Sequence, residues 1–268
     1  MGPEDNGPPS AGIADVVRRM QRRLDALQPE LAHRRVFLGT YLRTTQAVGV
    51  AIDHGGFEDP DWVEAWDVAF AERYLAAHDS DLADEPVARP WRLAFDAPAE
   101  LPPLRHVLLG INAHVNYDLP QALLDVISDD DFADPVLMDR RRRDHERIDG
   151  VLASRVGAED DQLAASGTSG TSGTSGAKNL LDLLLTPLNR LSSRRFLREA
   201  RQKVWHNTAE LQNARAEGPE AYAVRLAELE LLSAAKIDDL LQPGQVLPRL
   251  AVAGFGVTLP PTICQTHH

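Results

Sequence analysis

At 268 residues, with 43% apolar and 25% charged side chains, the chain has the balance of a globular protein able to bury one large core. The formal charge of −12, from 40 acidic against 28 basic residues, excludes nucleic acid as an expected partner, because such binding needs clustered cations to release counterions. Cys264 is the one cysteine, which rules out an intrachain disulfide and a cysteine zinc cluster, and no run of about 18 apolar residues marks a membrane span, so a cytoplasmic protein without membrane insertion is expected.

Residues 1–11 are rich in Gly, Pro and acid and read as a disordered leader. Ile13, Val16, Val17, Met20, Leu24 and Leu27 recur at three and four, which predicts a helix over 12–27. Pro29 opens a second over 29–53, with Phe37, Leu38, Tyr41, Leu42 and Val48 on its apolar face, and Gly55 with Gly56 ends it. In its middle stand Arg43, Thr44 and Thr45. Such threonines ordinarily bond back to the carbonyl one turn earlier, and lining a ligand pocket is the other reading. Asp59 and Pro60 supply an N-cap and a first turn, and the helix that follows sets Trp62, Trp66, Phe70 and Tyr74 on one row. An aromatic stripe of this kind packs a core and can also wall a cavity. Residues 79–103, dense in Asp and Pro with Trp91 and Phe95 as anchors, read as a long irregular connection.

A motif helix is predicted over 102–127, with further helices near 134–156, 178–215 and 219–241. Arg140, Arg141, Arg142 and Arg143, bracketed by Asp139, Asp144 and Glu146, read as a solvated, salt-bridged face. Residues 166–176 repeat Ser-Gly-Thr and read as an inserted flexible linker, so the segments on either side belong to one fold. The prolines at 243, 248, 260 and 261 predict an extended tail over 242–268. The expectation is an all-α protein: one domain over 12–241, a bundle of about seven helices.

The chemistry concentrates in the motif helix, where Asn112, His114, Asn116 and Asp118 lie among Leu104, Val107, Leu108, Leu109, Ile111 and Val115. Burying an unpaired amide or imidazole costs roughly 2–7 kcal/mol on apolar transfer scales, so these four need partners or a polar pocket. On a helix His114 and Asp118 lie about 40 degrees apart and can touch, while Asn112 and Asn116 point to nearly the opposite side. Pro120 bends or ends the helix just beyond. A carboxylate that orients an imidazole makes a general base or acid near neutral pH. His114 and Asp118 are therefore candidate catalytic residues, with Asn112 and Asn116 as orienting groups. The structural alternative has the asparagines bonding neighbouring helix ends and loops, with Asp118 capping the helix at Pro120.

Candidate substrate-binding residues are Arg43, Thr44 and Thr45, the stripe residues Trp66, Phe70 and Tyr74, the anchors Trp91 and Phe95, His106 two turns before His114, and Trp205 with His206 from the penultimate helix. A metal completed by His145, His206 or His54 would lack any paired-ligand motif, so neither metal nor other cofactor is expected. A Gly-rich phosphate loop and a Gly-x-Ser-x-Gly elbow are also missing.

Gly110, Asn112, Ala113, His114, Asp118 and Leu119, followed by Pro120 and preceded by Trp91, Phe95 and the Phe70 and Tyr74 pair, resemble the signature of an uncharacterised all-helical family common in actinobacteria. The resemblance covers residues 30–240 and implies a helical fold and an enzyme. Some members look like spiroketal-forming cyclases of polyketide pathways. It thus implies a cofactor-independent cyclase that folds an apolar, polyketide-like small molecule in an apolar cavity and moves protons with His114 and Asp118. A metal-dependent hydrolase or oxidase, and a non-enzymatic helical module for an apolar ligand, stand as alternatives. Oligomeric state is not legible in the sequence.

Overall fold

Apolar residues spaced at three and four dictate helices, and every regular element among the described residues is one. The computed structural model describes residues 12–166, 187–244, 246, 250 and 254–261. The expected leader, nearly all of the Ser-Gly-Thr repeat, Cys264 and part of the tail lie outside them. The elements are α1 (Ile13–Ala26), a 3-10 turn (Pro29–Leu31), α2 (Arg34–Asp53), α3 (Pro60–Leu82), α4 (Arg89–Phe95), α5 (Pro103–Ala113), a π turn (His114–Asp118), α6 (Leu119–Val126), α7 (Asp129–Ala133), α8 (Pro135–Ser166), α9 (Pro187–Glu217) and α10 (Pro219–Leu241). No helix among them is long and apolar enough to cross a membrane.

Several stretches depart from the expected pattern: the second helix begins at Arg34, after a 3-10 turn over Pro29–Leu31, and Val246 and Leu250 of the expected extended tail are helical. The connection over 79–103 is not wholly irregular, since α3 runs on to Leu82 and Pro90 in the first turn starts α4. That helix stacks Trp91 on Phe95 across one turn, with ring centroids 5.2 Å apart. At 128–131 a capping box nucleates the short α7: the Ser128 hydroxyl accepts from the Asp131 N–H while the Asp131 carboxylate accepts from the Ser128 N–H.

The start of α3 is tied down from outside its own sequence. The Asp59 side chain accepts from the Trp62 N–H, and Asp144 of α8, itself fully buried, accepts from the Glu58 and Asp59 N–H groups at 2.8 Å each. Arg141 turns inward to pair with Asp59 and lies over the Trp62 ring at 4.7 Å. The arginine run is thus only partly a solvated face: Arg142 and Arg143 are exposed, Arg141 is buried.

α5, the π turn and α6 form one interrupted rod through the middle, touching α2, α3, α4, α9 and α10. Leu108, Leu109 and Leu123 on this rod are fully buried. Gly110 lets α2 approach, because a Cβ there would stand 2.4 Å from the Phe37 ring. On the far side Leu124, Leu211, Leu229, Val257 and Leu259 make a second, smaller core, so the irregular segment 254–261 sinks side chains into the protein.

Candidate functional site

Pro120 has no N–H and its ring clashes with the carbonyl one turn back, so an α-helix cannot run through it undisturbed. The chain answers with a π turn over His114–Asp118, in which the Leu119 N–H bonds the His114 carbonyl five residues earlier. The wider turn relieves the clash. Turns of this kind recur at functional sites.

On one side of the turn the His114 ring donates from Nδ1 to Asp118 Oδ2 at 2.9 Å, with Nδ1 protonated as the carboxylate requires. Trp91 Nε1 of α4 donates to the same oxygen at 2.8 Å. Both partners of the dyad are buried, and His114 Nε2 has no hydrogen-bond partner. Burial pulls the imidazole below its ordinary range, with the Asp118 hydrogen bond and charge opposing it, so His114 is neutral near pH 7.

The imidazole sits inside an aromatic box. Phe70 of α3 lies flat against it at 3.5 Å and 5°, and Tyr41 of α2 meets it edge-on at 4.5 Å. Trp91, Tyr74 and Phe37 stand 5.8, 6.0 and 6.2 Å away. Of the buried polar atoms nearby, the Tyr41 hydroxyl faces the Thr45 hydroxyl, while Asp67 Oδ2, Trp66 Nε1 and, beyond, His145 Nδ1 make no hydrogen bond. The Trp66 ring is 5.3 Å from His145, which in turn lies 5.6 Å from Trp205. Burial, then the Asp67 and Asp118 charges, push the Tyr41 phenol far up, so Tyr41 stays neutral. Burial, and behind it Glu64, push the Asp67 carboxyl up to about 7.

Of the residues singled out in the sequence, His114, Asp118, Phe70, Tyr74 and Trp91 come together directly. Phe95 backs Trp91, Trp66 packs against Phe70 with its Nε1 unpartnered, and Thr45 lies against the Tyr41 hydroxyl. The others are placed elsewhere. Asn112 donates to the Leu108 carbonyl and accepts from Asn116, whose amide binds the main chain of Phe255 and Val257. Both asparagines thus face the tail and not the imidazole. Thr44 bonds back to the Thr40 carbonyl at 3.0 Å, and Arg43 donates to the Thr40 hydroxyl. His106 packs against His33 with ring centroids 5.0 Å apart, away from the dyad. His206 reaches the Leu259 carbonyl at 2.9 Å, and Trp205 lies beside His145 beneath Arg142.

Tyr41 and Asp67 carry no site role in the sequence reading, and His145 enters it only as a possible metal ligand. Asp67 carried a readable signal, since Val63, Trp66, Phe70, Ala71 and Tyr74 trace the buried face of α3 and position 67 falls on that face.

No three His, Cys, Asp or Glu side chains among the described residues converge as a metal-ligand set. His54 stands exposed at the end of α2, its Nδ1 on the Val50 carbonyl. Two surface hollows, of about 640 and 530 Å³, are lined by residues such as Gly56, Arg143 and Arg147 in the first and Asp125, Ser128 and Arg215 in the second; neither is lined by His114.

The chain belongs to a family of unknown function, DUF5995, whose model matches residues 13–243. The match takes in the dyad, the π turn and the aromatic box and stops before the segment 254–261. No curated protein and no solved structure matches the chain.

Proposed function

We propose that the chain is a cofactor-independent acid–base catalyst of cyclisation, acting on a neutral, largely apolar, oxygenated small molecule. The observation that carries this reading is the buried His114–Asp118 pair whose Nε2 has no hydrogen-bond partner, with Asp67 Oδ2 and Trp66 Nε1 also unpartnered on the buried face of α3 that supplies Phe70. Buried polar groups are nearly always paired, and a cluster of exceptions, rich in groups that hold or release protons, is what a substrate's oxygens would satisfy. A neutral imidazole held by a carboxylate takes a hydroxyl proton. A carboxyl that is still partly protonated near pH 7 gives one, and a neutral phenol donates to a carbonyl oxygen.

Spiroketal closure on a polyketide is the specific case we favour. Two hydroxyls add to one ketone carbon, two C–O bonds form, and the former carbonyl oxygen leaves as water. His114 accepts a hydroxyl proton, Asp118 and Trp91 fix its ring, and Asp67 protonates the departing oxygen. The aromatic walls fold the chain and so choose the configuration at the new centre. Phe70 and Tyr41 have to swing aside for a substrate to reach Nε2.

The test is comparative metabolite profiling of the source strain with the gene deleted and then complemented. The deletion strain should accumulate a precursor that the purified protein converts with loss of the mass of one water, and His114→Ala should abolish this while folding normally. Full conversion by a folded His114→Ala, Asp118→Asn double variant would remove the proposal. One observation favours a second reading, a non-catalytic helical module: Phe70 stacks on His114 at van der Waals contact. In that case substituting the dyad lowers the melting temperature and leaves the metabolite profile unchanged.

A further inference from the structure

After Gly254, whose φ of 70° ends a turn closed by its N–H on the Leu250 carbonyl, residues 256–261 form no regular element, and side chains hold their main chain. Asn116 Oδ1 accepts from the Val257 N–H at 3.2 Å, and its Nδ2 donates to the Phe255 carbonyl at 3.2 Å. One step along, Asn207 Nδ2 donates to the Val257 carbonyl at 3.0 Å and its Oδ1 accepts from the Leu259 N–H at 2.8 Å. Each amide thus imitates one residue of a paired strand. Lys203 and His206 add bonds to the Gly256 and Leu259 carbonyls. Phe255, Gly256, Val257 and Leu259 are buried while Thr258 and Pro260 are exposed, so burial alternates from Val257 onward.

One of the two clamps is the middle residue of the π turn. Asn116 stands two residues from His114 and two from Asp118, is itself buried, and has its amide engaged by the tail and by Asn112. A π turn is a rare local conformation that tertiary contacts must hold against the ordinary helix. Without the tail the Asn116 amide would lose both of its main-chain partners, and the turn would lose the contact that holds its far face.

We infer that the segment 254–260 is a strap that sets the π turn and thereby positions His114 against Asp118, with Asn116 as the positioning residue that transmits it. The meaning of the dyad rests on the proposed function, but the strap itself is tested by the dyad's geometry and not by turnover. A failure of the cyclase reading with intact coupling, and the reverse, are therefore separate results.

The experiment uses the full chain, isotope-labelled, in two variants remote from the dyad: Asn207→Ala, which removes two clamp bonds, and Val257→Ala, which trims a buried strap side chain. Hydrogen exchange at Val257 and Leu259 reports the strap. Loss of two hydrogen bonds predicts exchange faster by about thirtyfold. The ring-nitrogen resonances of His114 and the Trp91 Nε1–H resonance report the dyad. The expected result is that both move together with strap exchange, and that Asn116→Ala reproduces the dyad change. A strap that exchanges freely while His114 and Trp91 keep their native resonances overturns the inference, as does a dyad change in either variant without faster strap exchange.

Discussion

Asp67 offers a test that needs no substrate. Its carboxyl is buried on the inner face of α3, Oδ2 lacks a partner, and burial pushes it from 3.8 up to about 7. In the unfolded chain the group ionises near its ordinary value, so between the two values the folded state holds a proton that the unfolded state has lost. Stability contributed by this proton is present at low pH and disappears as pH rises through about 7. At about 1.4 kcal/mol per pH unit, the destabilisation amounts to about 2 kcal/mol at about pH 5 and about 4 kcal/mol at about pH 8.

Asp67→Asn keeps the shape and cannot ionise. Urea denaturation of both proteins should therefore show the variant gaining on the parent by about 2 to 3 kcal/mol between about pH 5 and about pH 8. The absolute offset depends on how the amide is accommodated, but its growth with pH does not. Other titrating groups, including His114 and His145, whose imidazoles burial pulls down, cancel in the difference. An offset that stays the same at both pH values would mean that Asp67 is ionised and compensated in the fold, and the proton donor assigned to the site would be lost with it.

Three further outcomes follow from the packing. Gly110→Ala places a Cβ 2.4 Å from the Phe37 ring, and forcing α2 and α5 apart should cost about 2 kcal/mol and lower Tm by about 4–8 °C; an unchanged melt would mean Phe37 repacks freely. Asp144→Ala strands the N–H groups of Glu58 and Asp59 at the start of α3, and a loss of about 3 kcal/mol in urea denaturation is expected, against a loss below about 1 if water replaces the carboxylate. Trp91→Phe removes the indole donor to Asp118 while keeping the stack on Phe95, which should cost about 2 kcal/mol and disturb the His114 ring resonances; undisturbed resonances would show that the indole does not orient the dyad.

The helices and the touching of His114 and Asp118 were legible in the sequence because both depend on local spacing. Period alone yields α1, α2 and α3, and four-residue separation brings the imidazole to the carboxylate. What surrounds the dyad was legible only in part. The Phe70 and Tyr74 stripe marks one wall, but Tyr41 looked like any apolar-face residue of the second helix, and nothing local says which neighbour an edge will meet. Asp67 is readable from its place on the buried face of α3, but nothing local tells whether an acid among aromatics is paired.

The asparagines show a different limit. Asn112 and Asn116 pair with each other across one turn, as their spacing requires, and their position opposite the dyad follows from the helix alone. Their use does not, since the main-chain partners of Asn116 lie 139 and 141 residues further along the chain. The same four-residue rule therefore produces a proton-handling pair on one side of the rod and a clamp for a distant segment on the other. One π turn carries both. Asn116 holds the distant segment from the middle of the turn whose two ends are His114 and Asp118, so clamp and dyad share one five-residue stretch of backbone.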